Sequence, residues 1–88
     1  MNNKIDYLLD SNGKVKRWPK KRYEKDAVLH YIQSKFEINY KYNEKEVNSI
    51  IMEWHTFNDF ALIRREMVDN LIIKRTPDCR EYWMEKAT

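Results

Sequence analysis

Between His55 and Trp83 the chain reads HTFNDFALIRREMVDNLIIKRTPDCREYW, and the order of patterns in that stretch restricts the fold more than any other feature. Apolar residues recur at helical spacing from Phe57 to Leu71. Two short strand-like runs, Ile72 to Thr76 and Arg80 to Trp83, then flank Pro77-Asp78, a turn signal. A helix that feeds directly into a two-stranded ribbon has to bury its apolar face against elements that precede it. Two earlier helical patterns are available for that purpose. The expected class is therefore α+β: a winged helix-turn-helix-like domain of three helices, a C-terminal two-stranded wing and a short N-terminal hairpin or arm.

The second helix carries the clearest signal. Asn43 suits an N-cap, Glu46 stands three residues later in capping-box position, and Val47, Ile50, Ile51 and Trp54 form a narrow apolar stripe ending near His55. The third helix is expected to begin at Asn58 or Asp59, which leaves only a few residues for the turn. Upstream, Trp18-Pro19 marks a boundary, because proline restrains the residue before it and suits the first turn of a helix. The first helix then runs from Lys20 or Lys21 to Phe36. It places Val28, Leu29, Tyr31, Ile32 and Phe36 on one face with the stems of Lys25 and Lys35, opposite Asp26, His30 and Gln33. The alternation of Ile38, Tyr40 and Tyr42 predicts a short strand between the first two helices.

Before Trp18, apolar and polar residues alternate around Asp10-Ser11-Asn12-Gly13, a turn signal that predicts a hairpin or an extended arm. Such a hairpin is marginal alone, so Tyr7, Leu8, Val15 and Trp18 are expected to pack on the helices. Residues 1–19 form this arm and 20–88 the helical core and wing of a single domain. At 88 residues, one core is all the chain can hold. The lone cysteine, Cys79, excludes an internal disulfide framework. The start MNNKIDYLLD lacks a signal-peptide pattern and no apolar run is long enough to span a membrane, so a cytoplasmic location without a membrane partner is expected.

The net charge of +3 conceals an asymmetry: residues 1–35 hold nine Lys/Arg against four Asp/Glu, and residues 36–88 hold eight against ten. The run Lys14, Lys16, Arg17, Lys20, Lys21, Arg22 and Lys25, interleaved with Trp18 and Tyr23, is the leading candidate for binding nucleic acid. Cations at a helix N-terminus oppose its dipole, so folding gives no reason to gather them there, whereas a phosphate ligand does. If all seven touched duplex phosphates, affinity would fall with a log-log salt slope of about −6. The competing reading is a solvated lead-in segment. Trp18 reads as a core anchor beside Pro19 rather than a base-stacking platform.

On a helical wheel of the third helix, Phe57, Phe60, Ala61, Met67, Val68 and Leu71 cluster with Arg64 at their centre. A core-facing guanidinium needs a partner, and Glu37, Glu46 and Glu53 are the candidates; alternatively its stem runs along the apolar edge and its head reaches water. The outward face carries Asn58, Asp59, Leu62, Arg65, Glu66 and Asp69. With Asp59, Glu66 and Asp69 against Arg65, that face is poorly suited to a phosphate-lined groove. Nucleic-acid contact is instead expected from the basic segment, Arg65, and the wing residues Lys74, Arg75 and Arg80. The alternative for Arg75 and Arg80, which two residues alone favour, is ordinary edge charges that block sheet extension.

The motifs RWPKKR (Arg17 to Arg22), YNEKEVN (Tyr42 to Asn48) and the stretch from His55 to Trp83 together resemble the bacterial family called domain of unknown function 2087. The resemblance covers most of the chain. It implies a small winged-helix-like domain, found alone or attached to helix-turn-helix regulators and described as a transcriptional regulator without an established activity. One departure is that Cys79 stands where the family typically has glycine. If that position needs positive φ, the cysteine is strained by about 1 kcal/mol.

No catalytic, metal or cofactor constellation is legible. His30 and His55 lie on different helices and Cys79 on the wing, without ligand or nucleophile spacing; His55 could donate to a helix-end carbonyl or cap the turn. An enzyme is not expected. Two functions remain: a regulatory domain that binds DNA or another nucleic acid through the basic segment and wing, or a protein-interaction or dimerisation module using Leu62, Met52 and the acidic face.

Overall fold

The computed structural model describes residues 5–86. Three helices, α1 (Arg22–Gln33), α2 (Glu44–Glu53) and α3 (Phe60–Asp69), are followed by a hairpin of β1 (Lys74–Arg75) and β2 (Tyr82–Trp83). The strands are antiparallel, with Lys74 opposite Trp83 and Arg75 opposite Tyr82. This is an α+β layout consistent with a winged helix. Among the described residues, no helix is long and apolar enough to cross a membrane.

Local chemistry explains most element ends. The Asn43 side chain accepts the Glu46 N–H and the Glu46 carboxylate accepts the Asn43 N–H, each at 2.8 Å. This reciprocal capping box starts α2 where the sequence pattern placed it. Asp59 caps α3 by accepting the Leu62 N–H at 3.3 Å. At its other end α3 closes through Leu71, which holds the left-handed conformation (φ 58) while the Ile72 N–H reaches the Met67 carbonyl at 2.8 Å. The first helix is shorter than predicted. It ends at Gln33, and Ser34 to Phe36 continue as turns that return their N–H groups to His30, Ile32 and Gln33.

The core draws on every element: Val28, Leu29 and Ile32 from α1, Val47 and Ile51 from α2, Ile63 and Met67 from α3, and Ile73, Tyr82 and Met84 around the hairpin. Ile5, Leu8 and Val15 of the arm are buried with them. Full burial of each such aliphatic side chain stabilises by about 1.5–3 kcal/mol, which is how a small domain holds together.

The predicted strand after α1 survives as two isolated bridges, Ile38 to Met84 in parallel sense and Tyr42 to Tyr82 in antiparallel sense. A left-handed Asn39 (φ 65) bends the backbone between them, so no continuous strand forms. Tyr42 is fixed by backbone hydrogen bonds in both directions with Tyr82 at 2.8 Å and by edge contact with Phe36.

The arm is hairpin-like, with a Leu9–Val15 bridge and a turn around Gly13 (φ 78). Two features favour glycine there: positive φ, and the Tyr31 hydroxyl, which would lie 3.1 Å from an added Cβ and would have to shift to admit it. Leu8 and Val15 pack as predicted and Trp18 is half-buried. Tyr7 does not pack: it is 51% exposed, and its hydroxyl donates to Glu24. Val15 also bridges His55, with its N–H on the Trp54 carbonyl and the Thr56 N–H on its own carbonyl, both at 2.9 Å. The arm is thereby bonded to the turn between α2 and α3.

The wheel prediction for α3 needs correction. Ile63 and Met67 face the core, whereas Ala61 is exposed and Leu71 is 73% exposed. Phe57 and Leu71 lie outside the helix, and the inferred face omits Ile63, so its centre stands roughly 80° from the Ile63–Met67 direction at 100° per residue. Arg64 is therefore at the edge of the buried face, half-buried. None of Glu37, Glu46 and Glu53 meets it: its guanidinium donates to the Asn48 side-chain oxygen and lies 5.9 Å from the Phe60 ring centroid. A neutral amide partner and a ring face suffice for a guanidinium at that depth.

Candidate nucleic-acid interface

The basic segment is held at two points. Val15 is bonded to the turn that precedes α3, and the Arg22 guanidinium donates to the Asn70 side chain just after α3. Residues 16–21 are therefore strung between the two ends of α3. Asn70 in turn donates to the Glu66 carbonyl at 2.8 Å, which puts the Arg22 tether on the Glu66 side of the helix.

Lys16, Arg17, Lys20 and Lys21 are exposed along this path, and Lys14 and Lys25 are half-buried. Among the described residues none of the six forms an ion pair. Arg22 is the exception, 3.4 Å from Asp26 one turn along α1. Trp18 lies against the core with the Lys25 ammonium 6.0 Å from its ring, in keeping with an anchoring role. Lys21 lies 6.0 Å from the ring of Tyr23.

On the other flank of α3, the hairpin closes a groove of about 540 Å³ that brings Arg64, Arg65 and Arg75 together with Leu62, Val68, Cys79 and Tyr82. Glu44, Asp59 and Asp69 share this groove, so its formal charge is balanced. Glu44 is engaged by the Tyr82 hydroxyl at 2.8 Å and Asp59 by the α3 cap. Burial first, then the bond to Glu44 and the nearby Cys79, push the Tyr82 phenol far above its ordinary range.

The strand period separates the remaining cations. Arg75 faces α3, whereas Lys74 points to the opposite groove with Arg22 and Asp26, 3.8 Å from Glu85. Arg80 is at the hairpin tip, highly exposed and 3.6 Å from Asp78. Arg75 does not extend outward: its guanidinium donates to the Thr76 carbonyl at 3.2 Å and the Cys79 sulfur at 3.3 Å. Cys79 stands at φ 62, the left-handed conformation suspected from the sequence. The tip itself is tightly bonded. Asp78 accepts from the Thr76 hydroxyl at 2.7 Å and from the Arg80 N–H at 3.1 Å, and these bonds hold its carboxyl below the usual range.

Three features escaped the reading of the sequence. Glu24 is buried at 8% exposure beneath the Tyr7 hydroxyl; its place four residues before Val28 on the apolar face was the available signal. The Arg64–Asn48 contact and the joint placement of Arg64, Arg65 and Arg75 depend on how the hairpin folds back on α3, which residue spacing does not encode.

The model of a family described as an uncharacterised protein conserved in bacteria, DUF2087, matches residues 14–84. No curated protein and no solved structure matches the chain.

Proposed function

The chain belongs to the uncharacterised bacterial family DUF2087, and from that premise we propose that it is a winged-helix domain that binds nucleic acid in a regulatory role, with no catalytic step of its own. The carrying observation is the tethered basic segment: four exposed cations, Lys16, Arg17, Lys20 and Lys21, lie between tethers at the two ends of α3 without an ion pair among the described residues. Unpaired like charges held side by side are unfavourable for folding and favourable for a polyanion. Arg65 and Arg75 in the groove beside the hairpin supply a smaller, partly neutralised contribution, and Lys74 and Arg80 are engaged by Glu85 and Asp78.

A mobility-shift titration with random nucleic acid at several salt concentrations tests this. Release of one counterion at each of the four cations gives a log-log slope of about −3.6 on duplex DNA. Absence of binding at low salt would overturn the proposal.

A second reading, a protein-interaction or dimerisation module, draws on Ile38, Tyr40 and Met52, all exposed. Leu62, the other apolar residue considered for that role, is half-buried in the groove. Sedimentation supports this reading with a dimer and counts against self-association with a monomer.

A further inference from the structure

Resting on the nucleic-acid reading, we propose that the ligand of the basic segment is a single strand, with a base stacked on the Tyr23 ring and backbone phosphates on Lys16, Arg17, Lys20 and Lys21. Single strands are bound where a cationic path runs beside aromatic rings that offer a free face, since every base has a π-surface and no groove is needed.

The first turns of α1 assemble those parts. Tyr23 is 66% exposed, and Lys21 lies near its ring. Tyr7 reaches the same turn from the arm, ring half-exposed and hydroxyl fixed by Glu24. Trp18, with Lys25 6.0 Å from its ring, packs against the core and is not offered to a base. Lys21 and Tyr23 therefore stand together at the start of α1, directly after Lys20 in the chain, and little of the Tyr23 ring is spent on folding.

The neighbouring helix argues against a duplex. A duplex reader inserts a helix or ribbon into the major groove, with donors toward bases and phosphates. The exposed side of α3 presents Asp59, Ala61, Arg65 and Asp69, and its carboxylates repel the phosphates that line such a groove. A single strand following the basic segment meets the lysines and Tyr23 without entering that face.

The test is fluorescence anisotropy of labelled oligothymidine and of a random duplex against the full chain, Tyr23→Ala and Tyr23→Phe. Tighter binding to the single strand is expected, weakened about tenfold by Tyr23→Ala, as loss of a stacked base implies, and retained by Tyr23→Phe, which keeps the ring. Tighter binding to the duplex, or a Tyr23→Ala affinity equal to that of the parent chain, overturns the single-strand assignment while leaving the nucleic-acid reading in place. No binding to either probe removes that reading as well.

Discussion

The imidazole of His55 clamps the turn between α2 and α3: the Asp59 N–H donates to its Nε2 at 2.8 Å. Its other nitrogen, Nδ1, lies 2.7 Å from the Ile51 carbonyl, so the two partners assign the ring proton to Nδ1. One side chain thus closes a helix end and positions the cap residue of the next helix. Both roles considered for His55 from the sequence are filled at once.

Removing that clamp leaves the Asp59 amide without its acceptor and opens a cavity where the buried ring stood, while the Ile51 carbonyl keeps the Trp54 N–H at 3.1 Å. His55→Ala is expected to lower unfolding stability by about 2–3 kcal/mol, measured by urea denaturation. A loss below about 0.5 kcal/mol would mean that water replaces the ring.

Arg64 and Asn48 form a charge-to-amide contact. A double-mutant cycle of Arg64→Ala and Asn48→Ala is expected to give a coupling of about 1 kcal/mol. Because the amide carries no net charge, the coupling should persist at high salt, whereas an ion pair with a carboxylate would weaken.

Cys79 at φ 62 occupies a conformation that costs an L-residue about 1–2 kcal/mol. Cys79→Gly relieves this and offsets part of the gain through a freer unfolded chain. The net expectation is about 0.5 kcal/mol of stabilisation, against about 1 kcal/mol of loss for the β-branched Cys79→Val. Thermal unfolding of the two variants reads the difference in sign.

The Tyr82 phenol is held protonated beyond its ordinary value of 10.0 by burial and by Glu44. A folded-state value raised above the unfolded one contributes stability that is intact below the ordinary value and is lost as pH rises toward the folded value. Alkaline unfolding of the chain is therefore expected above about pH 10, with the loss reduced in Tyr82→Phe. Stability measured across alkaline pH decides it, and equal pH dependence in both proteins would count against it.

What could be read from the residues was what depends on near neighbours. Asn43 with Glu46 specified the start of α2, Pro77-Asp78 the hairpin turn, and the suspicion about Cys79 followed from a glycine-like position. The true α3 face turns on Ile63 and Met67, and the wheel alone does not distinguish Ile63 from the exposed Ala61 and Leu71, because their burial depends on which side the other helices pack. The basic run was plain in the sequence. Its course along α3 was not, since that depends on Val15 meeting His55 and Arg22 meeting Asn70, contacts between distant parts of the chain.

Those two tethers also set an order of events during synthesis. Arg22 and Asn70 are 48 residues apart, so that tether cannot close until the end of α3 has followed the arm out of the ribosome. Contacts of such sequence separation slow folding, and domains assemble only as their later segments emerge. Until then the cations from Lys16 to Lys21 are secured at one end at most, and fixing both ends of the basic segment belongs among the last steps of folding.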